Sequence, residues 1–247
     1  MSLLEKTRKF VAENIQPGFH DKRPASFEKL RLKTVLKRKN PYLFRAKSVT
    51  AAPEMVRQLL DAHLSSNEET LFGEFLESLA IFVCQEVYRG RKSTTEGIDL
   101  EFGKGDMRYA IAVKSGPNWG NSSQIARMKS SFDKARRIAG HRAQITFVNG
   151  CCYGRDKTPE KSGYLKLCGE DFWTLISNEP KLFQELVEPL GHQATLHCDT
   201  FNETYGKILT RFTAEFTTDY CEADGGIDWA KLLEENSGSA SKGIFKT

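Results

Sequence analysis

Residues 97–116, GIDLEFGKGDMRYAIAVKSG, contain the pattern that best predicts the fold. Apolar residues at positions 98, 100 and 102 alternate with Asp99 and Glu101, which is typical of a strand with one buried face. The GKGD tetrapeptide is rich in turn-forming residues, and RYAIAVKSG then predicts a second strand. We therefore expect these twenty residues to form a β-hairpin.

The position of the turn sets the register of this hairpin. With a turn near residues 105 and 106, Asp99 is expected opposite Ala112. Glu101 is then opposite Ala110, and Lys114 shares a face with both acids. Two carboxylates beside a lysine suit Mg²⁺, which prefers oxygen ligands, and the lysine could orient a water or offset charge on a phosphate. The alternative is an ordinary solvent-facing pair of opposite charges.

A long apolar helix is predicted directly before the hairpin, over residues 66–90. Its apolar residues recur at helical spacing, and Ser66-x-x-Glu69 matches the pattern of a capping box. Glu74 and Glu77 lie three residues apart and share one side of this helix. Because an unpaired carboxylate on an apolar face is costly, either glutamate could serve the same centre as the hairpin acids. A separate, shorter helix is predicted over residues 53–66.

The segment after the hairpin is strongly basic. Between Lys114 and Arg142 there are seven Lys or Arg residues and one acid, Asp133, which suits a phosphate backbone. A loop is expected at GPNWGN, then a basic helix over 122–140 and a further strand over 142–154. Side chains at this loop and helix start are candidate DNA contacts, since helix N-termini favour phosphate and amides can read base edges. These candidates are Lys114, Ser115, Asn118, Trp119, Asn121, Ser122, Ser123, Gln124 and Arg127.

The overall composition is that of a globular protein without a membrane anchor. Of the 247 residues 28% are charged, and the longest strongly apolar run, Leu79 to Cys84, is far shorter than the roughly 20 residues of a membrane span. No secretory signal is recognisable at the N-terminus, so a cytoplasmic location is expected. The six cysteines form no CxxC pair, which favours reduced packing residues; a zinc site from Cys151, Cys152, Cys168 and a histidine is the alternative.

Basic residues are concentrated at the start of the chain. Residues 1–50 carry thirteen Lys or Arg against four Asp or Glu, a balance of +9, whereas the whole chain carries +4. The remaining residues therefore balance at −5. A concentrated excess suits a polyanionic partner; a solubilising extension is the alternative.

The order of predicted elements indicates a mixed α/β protein. A helix, a hairpin, a basic helix and a strand form the core over residues 66–165, and a short strand is possible within 86–93. A basic helical region over 1–65 is expected to pack on this core. A helical region follows over 166–236, then a flexible tail over 237–247. We expect one compact domain overall.

On these residues the chain resembles the PD-(D/E)XK nuclease superfamily, and within it type II restriction endonucleases. The resemblance rests on a helix glutamate, GIDLEF, YAIAVKSG and the following helix and strand, over roughly residues 66–150. NPYLFRAK before the core and KSGPNWGNSSQ after the lysine are also similar to one subset of these enzymes. The resemblance implies a core of helix, three-stranded mixed sheet, helix and strand. It also implies Mg²⁺-dependent cleavage of double-stranded DNA, and a homodimer.

Carried over by position, the resemblance makes Asp99 the first acid of the motif and Lys114 its lysine. The motif proline is replaced by Ile98, and the second acid by Ala112. Superfamily members without that acid draw a carboxylate from elsewhere. Glu77 is our first choice for that carboxylate, and Glu101 or Glu74 are alternatives.

The main hypothesis is a site-specific, Mg²⁺-dependent endonuclease with Asp99 and Glu77 as metal ligands, Glu101 as a further candidate ligand and Lys114 at the attacking water. A DNA-repair or nicking nuclease with the same fold is the enzymatic alternative. The non-enzymatic alternative is a DNA-binding protein with this fold and an inactive site. The evidence for it is Ala112, which is either natural or an introduced inactivating change.

Overall fold

The structure, a computed structural model, describes residues 1–140, 144–192 and 194–238, and for residues 194–198 the backbone alone. The chain divides into two compact units, each made from two stretches. The first combines Met1–Phe19 with Glu69–Ala194, and the second His20–Glu68 with Thr195–Thr247. These units cut across the consecutive regions expected over 1–65, 66–165 and 166–236. Arg142, and from Ser239 onward the expected tail, lie outside the described residues.

The first unit is a mixed α/β fold built around a six-stranded sheet of order β1-β2-β3-β4-β6-β5. Neighbouring strands are antiparallel at β1-β2, β2-β3 and β5-β6, and parallel at β3-β4 and β4-β6. The strands are β1 (Arg91–Lys92), β2 (Leu100–Lys104), β3 (Met107–Lys114), β4 (Ile145–Cys151), β5 (Glu160–Lys161) and β6 (Tyr164–Cys168). This mixed α/β architecture confirms the expected fold class, including the short strand within 86–93.

The β2-β3 hairpin has the predicted register. Glu101 pairs with Ala110, and Lys104 pairs with Met107 across a turn in which Gly105 adopts a φ of +60°. Glycine adopts this left-handed conformation without the steric cost of a side chain, so the turn forms where the sequence predicts it.

The two faces of the sheet pack against different helices. One face, with Leu100, Ile111 and Val148, joins the large apolar core that also holds Leu79 and Phe172 from flanking helices. The other face forms a smaller cluster in which the basic helix covers the sheet; its buried members are Ile98, Ala110, Ala112, Met128, Phe132 and Phe147. The alternation along β3 and β4 decides which side chains meet the basic helix.

Helices surround this sheet within the first unit. A π-helical turn (Gln16–His20) follows the first helix, and its last residue, His20, belongs to the second unit. The helices of the first unit are α1 (Leu3–Ile15), the second part of α5 (Ala52–Tyr88), α6 (Ser122–Ala139), α7 (Glu170–Ser177), α8 (Leu182–Glu185) and α9 (Val187–Gly191).

The helix before the hairpin differs from the prediction. α5 (Ala52–Tyr88) is one continuous helix of 37 residues, and its division between the units falls after Glu68. The capping box at Ser66 was therefore wrong: the Ser66 hydroxyl donates to the Ala62 carbonyl within the helix, at 3.2 Å. No proline or glycine separates the two predicted helices, so nothing stops the first at residue 66.

The second unit is helical and has its own core. Its elements are α2 (Lys22–Glu28), α3 (Leu32–Leu36), α4 (Pro41–Ala46), the first part of α5, α10 (Ala194–Tyr220) and α11 (Trp229–Ser237). Phe27, Met55 and Phe212 are among the fully buried side chains of this core. No helix in the described ranges is both long and apolar enough to span a membrane.

Candidate active site

Asp99 lies one residue before β2 and is fixed by the backbone of β3. Its N–H donates to the Ile111 carbonyl at 2.8 Å, and its side-chain Oδ2 accepts from the Val113 N–H at 2.7 Å. The carboxylate thus takes the position that a strand carbonyl would otherwise occupy. Its direction is set by the hairpin.

Lys114 is the last residue of β3 and lies beside this carboxylate. The distance from Lys114 Nζ to Asp99 Oδ2 is 3.6 Å, and the two side chains are 28% and 23% exposed. The ammonium group also lies 5.2 Å from the ring centre of Trp119, which covers it from the following loop. A half-buried lysine and carboxylate that still reach solvent can both contact a bound substrate.

Glu77 lies on α5, close to the same end of the hairpin. Four residues before it, Gly73 passes so near Ser115 that a Cβ on the glycine would lie 3.5 Å from the Ser115 Cβ. Glu77 Oε1 is 3.2 Å from Lys92 Nζ. Both Glu77 and Lys114 influence the buried thiol of Cys152. Burial raises the pKa of this thiol to about 12; the negative charge of Glu77 raises the pKa further, and the positive charge of Lys114 lowers it.

Glu101 has different surroundings. Ser93 Oγ donates to its Oε1 at 2.5 Å, and Arg91 Nη2 lies 3.5 Å from its Oε2. Glu101 lines a cavity together with Arg108 and Ala110, which lie in the first half of β3. Lys114 lies at the opposite end of that strand. The structure therefore brings Asp99 and Lys114 together but leaves Glu101 with partners of its own.

The Asp99 carboxylate beside Lys114 suits a lightly coordinated cation. Within the described residues, no three or more His, Cys, Asp or Glu side chains are grouped to hold a metal ion. Mg²⁺ does not require three or more protein ligands, because it keeps several water ligands and binds through one or two carboxylates and the substrate phosphate. Asp99, held in place with a partly exposed carboxylate, supplies an oxygen donor of that kind, whereas Glu77 is paired with Lys92.

The cysteines of the alternative zinc site are buried free thiols. Cys151, Cys152 and Cys168 are each less than a tenth exposed, and burial raises the pKa of each thiol. Zinc binds the thiolate form, so these environments favour the packing role.

The loop after Lys114 is held by contacts from two later segments. The Tyr153 ring lies against Gly116, so a side chain at that position would require the half-exposed ring to move. Lys166 Nζ donates to the Pro117 carbonyl at 3.0 Å and lies 3.4 Å from Asp156 Oδ2. These contacts hold the loop that carries Trp119 over Lys114.

The candidate DNA contacts at the start of α6 differ in their availability. Asn121 and Gln124 cap each other: the Gln124 N–H donates to Asn121 Oδ1 at 3.1 Å, and the Asn121 N–H donates to Gln124 Oε1 at 3.0 Å. Their amides already have a structural role at the helix start. Ser115 and Trp119 are partly buried. The other loop and helix candidates are exposed, namely Asn118, Ser122, Ser123 and Arg127.

Strands β4 and β6 place polar residues beside the hairpin that the sequence interpretation did not include. Ala112 pairs with Asn149, which pairs with Lys166 on the next strand. Lys114 pairs with Cys151, which the sequence interpretation considered only as a possible zinc ligand. The one local signal was an asparagine inside the otherwise apolar strand ITFVNGC; β6 itself was not predicted.

Comparison with known proteins identifies the family of this chain. No individually curated protein matches the chain. The family model described as type II restriction endonuclease EcoO109I matches residues 5–197, which is well over half of the chain and includes the hairpin, both flanking helices and β4 to β6. The chain therefore belongs to the EcoO109I family of type II restriction endonucleases.

Proposed function

We propose that this family member cleaves double-stranded DNA at a specific short sequence, requires Mg²⁺, and works as a homodimer in the cytoplasm. The observation that carries the proposal is the Asp99–Lys114 pair, held 3.6 Å apart at the end of a hairpin in a restriction endonuclease family member. In such a pair the acid can bind a metal ion and the lysine can stabilise the charge that develops during phosphodiester hydrolysis.

Each side chain has a distinct role in this proposal. Asp99 and Glu77 would hold Mg²⁺, which when bound supplies Lewis acidity at the phosphate. Lys114 orients the attacking water and offsets the negative charge that develops on the phosphate oxygens. The Trp119 ring contacts the ammonium group of Lys114 through a cation–π interaction, which helps to hold the lysine in place.

A basic surface on the second unit supports a DNA substrate. Between residues 29 and 53 there are eight Lys or Arg residues and no acid, and all but Lys39 are exposed. Buried apolar side chains such as Leu32, Val35 and Phe44 anchor this segment in the core of that unit. The basic side chains therefore lie on short helices and on the turns that connect them, where they can contact DNA phosphates.

The surroundings of Ala112 bear on the dead-site alternative. Ala112 is 1% exposed and belongs to the cluster with Met128 and Phe132 under α6. An apolar environment of this kind favours an alanine that belongs to the fold over a catalytic acid that has been replaced. We therefore favour an active enzyme whose remaining ligands come from other positions.

Cleavage of plasmid or phage DNA, with Mg²⁺ or with EDTA, tests the proposed function. We expect discrete fragments in Mg²⁺ and none in EDTA, because the charge on the reacting phosphate needs a divalent cation. Smearing or nicking would support a repair or nicking nuclease. Binding of DNA without any cleavage would support the dead-site protein and contradict the proposal.

Glu77→Gln tests the glutamate that we place at the metal. We expect the cleavage rate in Mg²⁺ to fall at least about 100-fold, because the amide keeps the shape but loses the charge that binds the cation. Glu69→Gln, an exposed position on the same helix, is the matched control and should cut normally. If Glu74→Gln loses activity while Glu77→Gln does not, Glu74 is the ligand instead.

A further inference from the structure

The β4–β5 loop, residues 152–159, lies at the same edge of the sheet as Lys114. Backbone pairing continues past the end of β4, because the Cys152 N–H donates to the Lys114 carbonyl at 2.9 Å and the Tyr153 N–H donates to the Ser115 carbonyl at 3.2 Å. β3 and β4 are parallel, so their carboxyl ends meet at one edge of the sheet, and ligands of such sheets bind outside that edge. The β4–β5 loop therefore borders the candidate active site.

Close packing fixes the start of the β4–β5 loop against the segment that follows Lys114. The Tyr153 ring lies against Gly116, and Gly154 adopts a φ of +94° beside Pro117. A Cβ at position 154 would lie 2.5 Å from the proline ring, so the chain can pass this close only with glycine. A loop that is already ordered loses little conformational entropy when it binds a partner.

The charged residues of the β4–β5 loop differ in their exposure. The acid, Asp156, is 13% exposed; its Oδ1 accepts from Lys161 Nζ at 3.0 Å, and its Oδ2 lies 3.4 Å from Lys166 Nζ. The bases on either side of it, Arg155 and Lys157, are exposed. Neither base has an acidic partner among the residues that the structure describes. The loop therefore presents two uncompensated positive charges to solvent, while its acid is paired with lysines of the same unit.

We propose, on the basis of the proposed nuclease function, that Arg155 and Lys157 bind phosphates of the DNA strand on either side of the phosphate that is cleaved. Their backbones follow Tyr153 by at most roughly 15 Å of chain, and their side chains are long, so both can reach phosphates close to Lys114. Such contacts fix the position of the duplex without reading its sequence. The β4–β5 loop thus aligns DNA with the Asp99–Lys114 pair.

Phosphate contacts have a measurable consequence that a structural role lacks. Each phosphate neutralised by a basic side chain releases counterions, so the slope of log affinity against log salt concentration steepens by about 0.9 per contact. Loss of both contacts should reduce this slope by about 2 in total. Damage to the conformation of the loop alone would weaken binding without a change of this size.

Binding of a short fluorescent DNA duplex over a series of salt concentrations tests the proposal, in EDTA so that no DNA is cut. For Arg155→Ala/Lys157→Ala we expect at least about fivefold weaker binding at low salt, and a slope smaller by about 2. Arg155→Lys keeps the charge and should keep the parental slope. Lys104→Ala/Lys181→Ala is the matched control, because it removes two exposed charges of the same unit away from Lys114. Melting curves establish that each variant is folded.

An unchanged slope in the folded Arg155→Ala/Lys157→Ala protein overturns the proposal, even if the affinity falls. An equal loss of slope in the Lys104→Ala/Lys181→Ala control overturns it as well, since the effect would then come from net charge alone. The assay does not depend on cleavage, so it separates two failures. A parent protein that binds DNA through this loop but never cuts it in Mg²⁺ contradicts the proposed function. One that cuts DNA although the loop variant keeps the parental slope contradicts only this inference.

Discussion

Lys114→Ala is expected to lower the rate of DNA cleavage by about 10²- to 10⁴-fold while leaving DNA binding largely intact. The physical reason is the position of the ammonium group, 3.6 Å from the Asp99 carboxylate and under the Trp119 ring. Alanine removes the charge that orients water and stabilises the phosphate in the transition state. Cleavage under single-turnover conditions measures this loss separately from substrate binding.

Lys181→Ala is the matched control for this variant. Lys181 is exposed just before α8, outside the basic stretch of residues 114–142, and its removal changes the net charge by the same amount. It should cut at nearly the parental rate. A Lys114→Ala protein that cleaves as fast as this control would show that the reaction takes place elsewhere.

Asp99→Asn is expected to have the second large effect, with cleavage falling at least about 10³-fold and divalent cation binding falling as well. The substitution is conservative for the fold, because an amide oxygen can still accept the Val113 N–H that now donates to Asp99 Oδ2 at 2.7 Å. It removes only the negative charge. Single-turnover cleavage and Mn²⁺ binding measure the two effects.

Asp106→Asn, at the exposed hairpin turn, provides the comparison for Asp99→Asn. Both carry the same chemical change in the same hairpin, and only the Asp99 variant should lose activity. Loss of cleavage with unaltered cation binding would argue that Asp99 positions the strand rather than binding metal. Undiminished cleavage would remove Asp99 from the site altogether.

The hairpin could be predicted because its determinants are local. Alternating side chains over residues 98–102 and a glycine at the turn are enough to set the register of two adjacent antiparallel strands. With that register, the proximity of Asp99 and Lys114 follows without any distant contact. The same reasoning applies to the amphipathic basic helix, whose start at Ser122 has a local cap.

α5 shows where a local pattern was misleading. Ser66 and Glu69 match a capping box, but such a box acts only where the preceding residues leave the helix. Residues 54–65 are good helix formers, and they continue into the next turn without a break. The predicted boundary was therefore wrong, although both helical assignments on either side of it were right.

The neighbours of Ala112 and Lys114 could not be predicted locally. Asn149 and Cys151 reach the hairpin through a parallel pairing that requires the α6 crossover, and Lys166 comes from a strand one step further. Parallel register depends on the packing of the intervening helix, which periodicity does not reveal. Asn149 is a polar interruption in an apolar strand, which is the one trace of this arrangement in the sequence.

The buried thiols around the sheet have a practical consequence for work with this enzyme. Cys151 sits beside Lys114 in the register, yet it is fully buried, and burial raises its thiol pKa well above the usual range. Since the thiolate is the reactive form, alkylating reagents at neutral pH should leave it unmodified. A maleimide dye added to the folded protein should therefore leave Cys151, and with it the strand next to Lys114, unlabelled.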